Sequence, residues 1–103
     1  MSDDVNTQSG GGGWTKLHRA ALAGQYEEVR RLVERGADVN IKTISGVSVV
    51  MMAAEMGHVD IVQYLHQAGA DISIRNNYGV SALDLAAELG HSAVVQYLTQ
   101  ANG

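Results

Sequence analysis

Apolar positions along this chain follow two alternating rhythms. One is set by short apolar, Ala-rich segments around Leu17–Leu22, Val49–Ala54 and Ala82–Ala87. Each is preceded by a small hydroxyl residue, Thr15, Ser48 or Ser81, whose side-chain oxygen can accept a bond from an early helix N–H. Each closes at a glycine, Gly24, Gly57 or Gly90, the residue that most readily takes the left-handed conformation ending a helix. A second helix is expected from about Tyr26 to Arg35, Val59 to Ala68 and Ser92 to Ala101. In the middle segment Val59, Ile61, Val62, Tyr64 and Leu65 spread over more than one helical stripe, so that helix must be covered on more than one side. The rhythm then becomes alternating. Asp38-Val39-Asn40-Ile41-Lys42 and Asp71-Ile72-Ser73-Ile74-Arg75 favour extended backbone, followed by turn chemistry at Thr43-Ile44-Ser45-Gly46 and Asn76-Asn77-Tyr78-Gly79. One stretch conflicts locally: Gly46-Val47-Ser48-Val49-Val50-Met51-Met52 is strand-like by type because of its β-branched valines, yet the register of the other segments places a helix start at Val49.

That register is a repeat of 33 residues. It relates Gly13, Gly46 and Gly79; Ala20-Ala21, Ala53-Ala54 and Ala86-Ala87; Gly36-Ala37-Asp38 and Gly69-Ala70-Asp71; and Val62-Gln63-Tyr64-Leu65 and Val95-Gln96-Tyr97-Leu98. Three units follow, 13–45, 46–78 and 79–103, each a helix, turn, helix and extended arm. Residues 1–12 fall outside the period and read as a flexible tail leading into a glycine run. One unit cannot bury its own apolar face, but stacked neighbours can. The first unit carries Glu28 and Arg31 where the others have Ile61 and Tyr64, or Val94 and Tyr97, so it is expected to cap the stack with both charges well exposed and Val29 and Leu32 buried. The last unit keeps Val94, Val95, Tyr97 and Leu98 and is a poor cap. Its uncovered apolar face implies either a cut from a longer array or self-association through the C-terminal unit.

The period, the Ala-Ala pair, Gly57-His58 with Gly90-His91, and the stop Gly36-Ala37-Asp38-Val39-Asn40 together resemble the ankyrin repeat. Gly13-Trp14-Thr15-Lys16-Leu17-His18 is similar to that family's Gly-x-Thr-Pro-Leu-His, with Lys16 in place of proline. The resemblance implies an all-α repeat solenoid of stacked helix-turn-helix units with β-turn fingers. It implies a Thr–His bond that ties units together, retained only at Thr15 and His18. Ser81 and Asp84 have capping-box spacing, and Met51 breaks the tie in the middle unit. It also implies a protein-binding role through the concave side. Leu22 and Ala23 match variable positions of that side, and so do the residues expected to bind the partner: Trp14, Lys42, Ile44, Ser45, Val47, Glu55, Met56, Arg75, Asn77, Tyr78, Val80, Glu88 and Leu89.

Composition narrows the alternatives. Among 103 residues there is no Cys, which removes disulfides, thiolate metal sites and thiol nucleophiles and fits an intracellular, cytoplasmic or nuclear protein. A net charge of −4 argues against a nucleic-acid partner. No apolar run is long enough for a membrane span. The histidines lack metal-ligand spacing, His58 and His91 sit at equivalent repeat positions, and Gly10–Gly13 has no phosphate-loop context. No catalytic, cofactor-binding or metal-binding residue is therefore expected. A structural or engineered repeat scaffold without a ligand is the alternative to a protein-binding module. The unlike sequences Arg31-Leu32-Val33-Glu34, Tyr64-Leu65-His66-Gln67 and Tyr97-Leu98-Thr99-Gln100 favour natural origin.

Overall fold

A computed structural model describes residues 5–8 and 10–102. Among them are six helices: α1 (Lys16–Leu22), α2 (Tyr26–Glu34), α3 (Val49–Glu55), α4 (Val59–Gln67), α5 (Ala82–Glu88) and α6 (Ser92–Asn102). The starts of α1, α3 and α5 are 33 residues apart, at Lys16, Val49 and Ala82. They pack side by side in one row, while α2, α4 and α6 form a looser second row. The close row follows from composition, because Ala20, Ala21, Ala53, Ala54, Ala82 and Ala86 are buried and leave no bulk between neighbouring backbones. Helix α3 does begin at Val49, and Val49, Val50, Met51 and Met52 are all buried. Tertiary burial here outweighs the strand preference of β-branched residues.

All three short helices use the expected N-cap. The Thr15 hydroxyl accepts from the His18 N–H, Ser48 from Met51 and Ser81 from Asp84. In α1 and α5 the bond is reciprocal, because His18 and Asp84 side chains accept from the cap residue's own N–H. In α3 the reciprocal position is Met51, which is fully buried and fills the core instead.

Comparison of equivalent positions shows which way each side chain faces. Ile61 and Val94 are fully buried, so their position faces the preceding helix pair; in the first pair that position is Glu28. Val29 and Val62 are fully buried whereas Val95 is half-buried, so theirs faces the following pair. Val29 and Leu32 are buried and Arg31 is exposed, as expected of a capping pair. Glu28 differs from expectation: its side chain keeps only 34% of its exposure, because it pairs with Arg31 one turn away. At the other end Ala87 is exposed where Ala54 is fully buried, and Leu85 and Val95 are half-buried where Met52 and Val62 are buried. A shallow cavity of about 420 Å³ lies there, lined by Ala87, Gly90, Ser92, Val95 and Gln96.

The helix-pair interfaces are keyed by glycine and histidine. Gly57 has φ +76°, and a Cβ built on it would lie 2.6 Å from Nδ1 of His91. His91 Nε2 in turn bonds the Glu55 carbonyl at 2.7 Å. Gly24 meets the His58 ring in the same way, and a Cβ on Gly90 would meet nothing within 4 Å. These histidines have the structural role their repeat positions imply.

Candidate functional site

Two fingers project between the helix pairs. In the first, the Gly46 N–H donates to the Thr43 carbonyl at 2.9 Å and the Thr43 N–H to the Val47 carbonyl at 2.9 Å. Lys42 and Ser48 pair antiparallel across the base. Gly46 at φ +79° closes the tip, a backbone geometry that disfavours any residue with a Cβ. The second finger repeats this with other side chains. Gly79 donates to the Asn76 carbonyl, Arg75 pairs with Ser81, and Asn76 Oδ1 accepts from the Tyr78 and Val80 N–H groups at 2.9 and 3.0 Å. The tips therefore hold Ile44-Ser45 and Asn77-Tyr78 outward, in matching turns.

The fingers are laced to each other. The Asn77 N–H donates to the Ser45 carbonyl at 3.0 Å, and Asn77 Nδ2 to the Ile44 carbonyl at 2.9 Å. Ile44, the register equivalent of Asn77, and Tyr78, that of Ser45, thus stand on adjoining tips, 70% and 83% exposed. Met56 and Leu89, at the C-terminal ends of α3 and α5, are 47% and 52% exposed. Ser45, Lys42, Arg75, Asn77 and Glu88 are exposed; Val47, Val80, Glu55 and Trp14 are half-buried. Several of these side chains already have work within the fold. Val47 packs on the core and its carbonyl meets His18. Trp14 lies over Gly12, whose Cβ would come within 2.9 Å of the indole. Arg75 donates to the Gly79 carbonyl at 2.8 Å and faces Asp84 at 3.3 Å. The Ser81 backbone N–H, the Ser81 hydroxyl and Arg75 together hold the Asp84 carboxyl below the usual carboxylate range.

One tie runs from helix to finger. His18 is fully buried. Its Nδ1 accepts from the Thr15 N–H at 3.1 Å and lies 2.9 Å from the Thr15 hydroxyl. That arrangement assigns the proton to Nε2, which donates to the Val47 carbonyl at 3.1 Å. Thr15 and His18 thus bond to each other and, through Val47, hold the base of the neighbouring finger. Burial pushes the His18 imidazole below its ordinary pKa, against smaller opposing effects of the Val47 and Ile41 carbonyls.

Among the described residues no group of three or more His, Cys, Asp or Glu is arranged to hold a metal ion, and no helix is long and apolar enough to cross a membrane. A groove of about 370 Å³ over α2 is lined by Glu27, Glu28, Arg30, Arg31 and Glu34. These already pair as Arg30–Glu27, Arg30–Glu34 and Arg31–Glu28.

Sequence reasoning missed the contacts made ahead of Trp14. Residues 1–4 and 9 of the expected tail lie outside the described residues. Val5, however, packs against the core, and Asn6 and Gln8 bond to the first helix pair and its arm. The available signal was Val5-Asn6 itself, an echo of Val39-Asn40 offset by one residue from the period.

A comparison with curated proteins finds no match. The family described as "Ankyrin repeats (3 copies)" matches residues 17–103, the span that contains all six helices but the first residue of α1. Ankyrin repeats are generally protein–protein interaction modules and the family is typically non-enzymatic. With the helix pairs, fingers, Thr–His tie and family match in agreement, the chain belongs to the ankyrin-repeat family.

Proposed function

We propose that a partner protein docks on the finger tips and the C-terminal ends of α3 and α5. One observation carries this reading. Ile44, Met56, Tyr78 and Leu89 are the large hydrophobic residues left exposed among the described residues, and all four fall on these elements. Leaving them in water costs apolar hydration that a partner's surface would relieve. Tyr78 has the features of an anchor: large contact area, few rotatable bonds and a polar tip. Its backbone is already held by Asn76, so little chain entropy is lost on docking. Glu55, Glu88 and Lys42 flank the apolar residues as a polar rim. Arg75 contributes less to charge recognition than its sequence position suggests, because Asp84 already faces it.

The experiment places a photo-crosslinking residue at position 44 or 78 of the full chain, with position 63 on α4 as the control. Defined protein adducts from 44 and 78, absent from 63, are the expected result. The identified partner is then titrated by calorimetry against Tyr78→Ala. That change costs about 2 kcal/mol of binding energy, roughly thirtyfold in affinity, with the melting temperature unchanged. Adducts from 63 alone, or a Tyr78→Ala chain that binds normally, would overturn the assignment.

A further inference from the structure

Asn40 links the first helix pair's arm to the second. Its Nδ2 donates to the Gly69 carbonyl at 3.2 Å, and its Oδ1 accepts from the Asp71 N–H at 2.7 Å. Asn6 makes the same two bonds one step earlier, to the Gly36 carbonyl at 3.4 Å and from the Asp38 N–H at 2.6 Å. Val5-Asn6, Val39-Asn40 and Ile72-Ser73 each form a turn, and Val5 packs on the core as Val39 and Ile72 belong to it. The correspondence continues at the tips. The Ile44 N–H donates to the Gly12 carbonyl at 2.9 Å, as the Asn77 N–H does to Ser45 at 3.0 Å. The two anchor points differ in spacing by one residue: Asn6 and Gly36 are 30 apart, Asn40 and Gly69 are 29 apart.

The glycine run suits this arrangement. Gly13 has φ +73°, like Gly46 and Gly79 at +79°. A Cβ on Gly13 would come within 3.3 Å of Ile44 Cγ1, as one on Gly46 would crowd Asn77. Gln8 adds a bond that the other arms lack at this place, with Nε2 donating to the Gly13 and Lys42 carbonyls, each at 2.8 Å. The run is therefore a compact tip under the Trp14 indole.

We infer that residues 5–8 and 10–14 act as the arm and finger tip of an ankyrin unit and clamp the first finger from the side opposite Asn77. The arm supplies the first unit with the arm and tip contacts that each later unit takes from its predecessor. Its partners, the Asp38 and Ile44 N–H groups, have internal controls in Asp71 and Asn77, which donate to the equivalent atoms one unit later.

The test is amide hydrogen exchange by NMR on the full chain and on its Asn6→Ala/Gln8→Ala variant. In the wild-type chain, Asp38 and Ile44 are protected. In the variant their exchange quickens by about tenfold or more, while Asp71 and Asn77 change less than about twofold. Gly12→Val, which forces the indole off the tip, quickens Ile44 and leaves Asp38 protected. Free-peptide exchange at Asp38 and Ile44 in the wild-type chain would overturn the inference. So would an unchanged rate in the double variant. Equal acceleration at all four amides would also overturn it, since that is loss of global stability and not release of a local clamp.

Discussion

Replacing Gly57 by alanine separates backbone strain from the keying of one helix pair into the next. Gly57 and Gly90 have the same conformation, φ +76° and +77°. Alanine in the left-handed region costs about 1–2 kcal/mol, partly offset by about 0.4–1 kcal/mol from a less flexible unfolded chain. Gly90→Ala, with nothing near the new Cβ, should therefore cost about 1 kcal/mol. Gly57→Ala carries the same strain and adds a collision. The Cβ would lie 2.6, 2.9 and 3.0 Å from Nδ1, Cε1 and Cγ of His91. The ring must retract, and its bond to the Glu55 carbonyl at 2.7 Å is lost or stretched. Overpacking and the hydrogen bond together add about 1–3 kcal/mol. For a chain of this size each kcal/mol lowers the melting temperature by about 4–8 °C. Calorimetric melting of both variants, repeated in a His91→Ala background, measures the difference. The excess cost of Gly57→Ala should disappear when the ring is gone. Equal costs at the two glycines, or an excess that survives without His91, would refute the interlock.

Two further outcomes follow from the same structure. His18 titrates lower folded than unfolded, so the unfolded chain binds more protons just below pH about 6.5. Its contribution to stability is thus complete at higher pH, is lost as pH falls through that value, and levels off below the folded pKa. Melting temperature against pH should show a shallower slope in His18→Gln, and an identical slope would remove His18 as a cause. The second outcome concerns α6, which has a covering neighbour row on one side only, with Val95 half-buried where Val62 is fully buried. In dilute monomer its amides should exchange fastest of the six helices. Protection equal to α4 would refute this, and protection that rises with concentration would reveal self-association at that end.

The helix pairs were legible in the sequence because glycine, small hydroxyls and paired alanines are each demanded by a local geometry: a left-handed stop, a cap, a close approach. Even Val49, strand-like by type, was placed correctly by its register. Lateral bonds were not legible. Ser45 and Gly12 accept through backbone carbonyls, a capacity every residue shares, so no residue type marks them. Asn77 was expected as a partner contact, and nothing in the sequence marked the bond its side-chain amide donates to the Ile44 carbonyl. Arg75 was expected at the partner surface from its repeat position, and its pairing with Asp84 depends on how the finger folds back over α5. The N-terminal arm was hidden for a different reason. Its one-residue offset breaks the period, and a glycine run read by composition alone suggests a linker.

The two ends of the stack are built unequally, and this bears on the proposed surface. The N-terminal end has the Asn6 and Gln8 contacts and the paired charges Glu28 and Arg31. The C-terminal end leaves Leu85, Ala87 and Val95 partly or wholly uncovered. In a stack whose stability is a sum of intrinsic and nearest-neighbour contributions, the α5–α6 pair has, among the described residues, a neighbour on one side only. Tyr78 stands on the finger that leads directly into α5, the inner helix of that pair. Ile44 stands on a finger held from both sides, by Gly12 and by Asn77. A partner spanning both tips would therefore meet two held turns, of which only the second leads into a helix pair with a covering neighbour on one side. Its binding should raise the stability of α5 and α6 more than that of α1 and α2, because that pair has more local opening left to suppress.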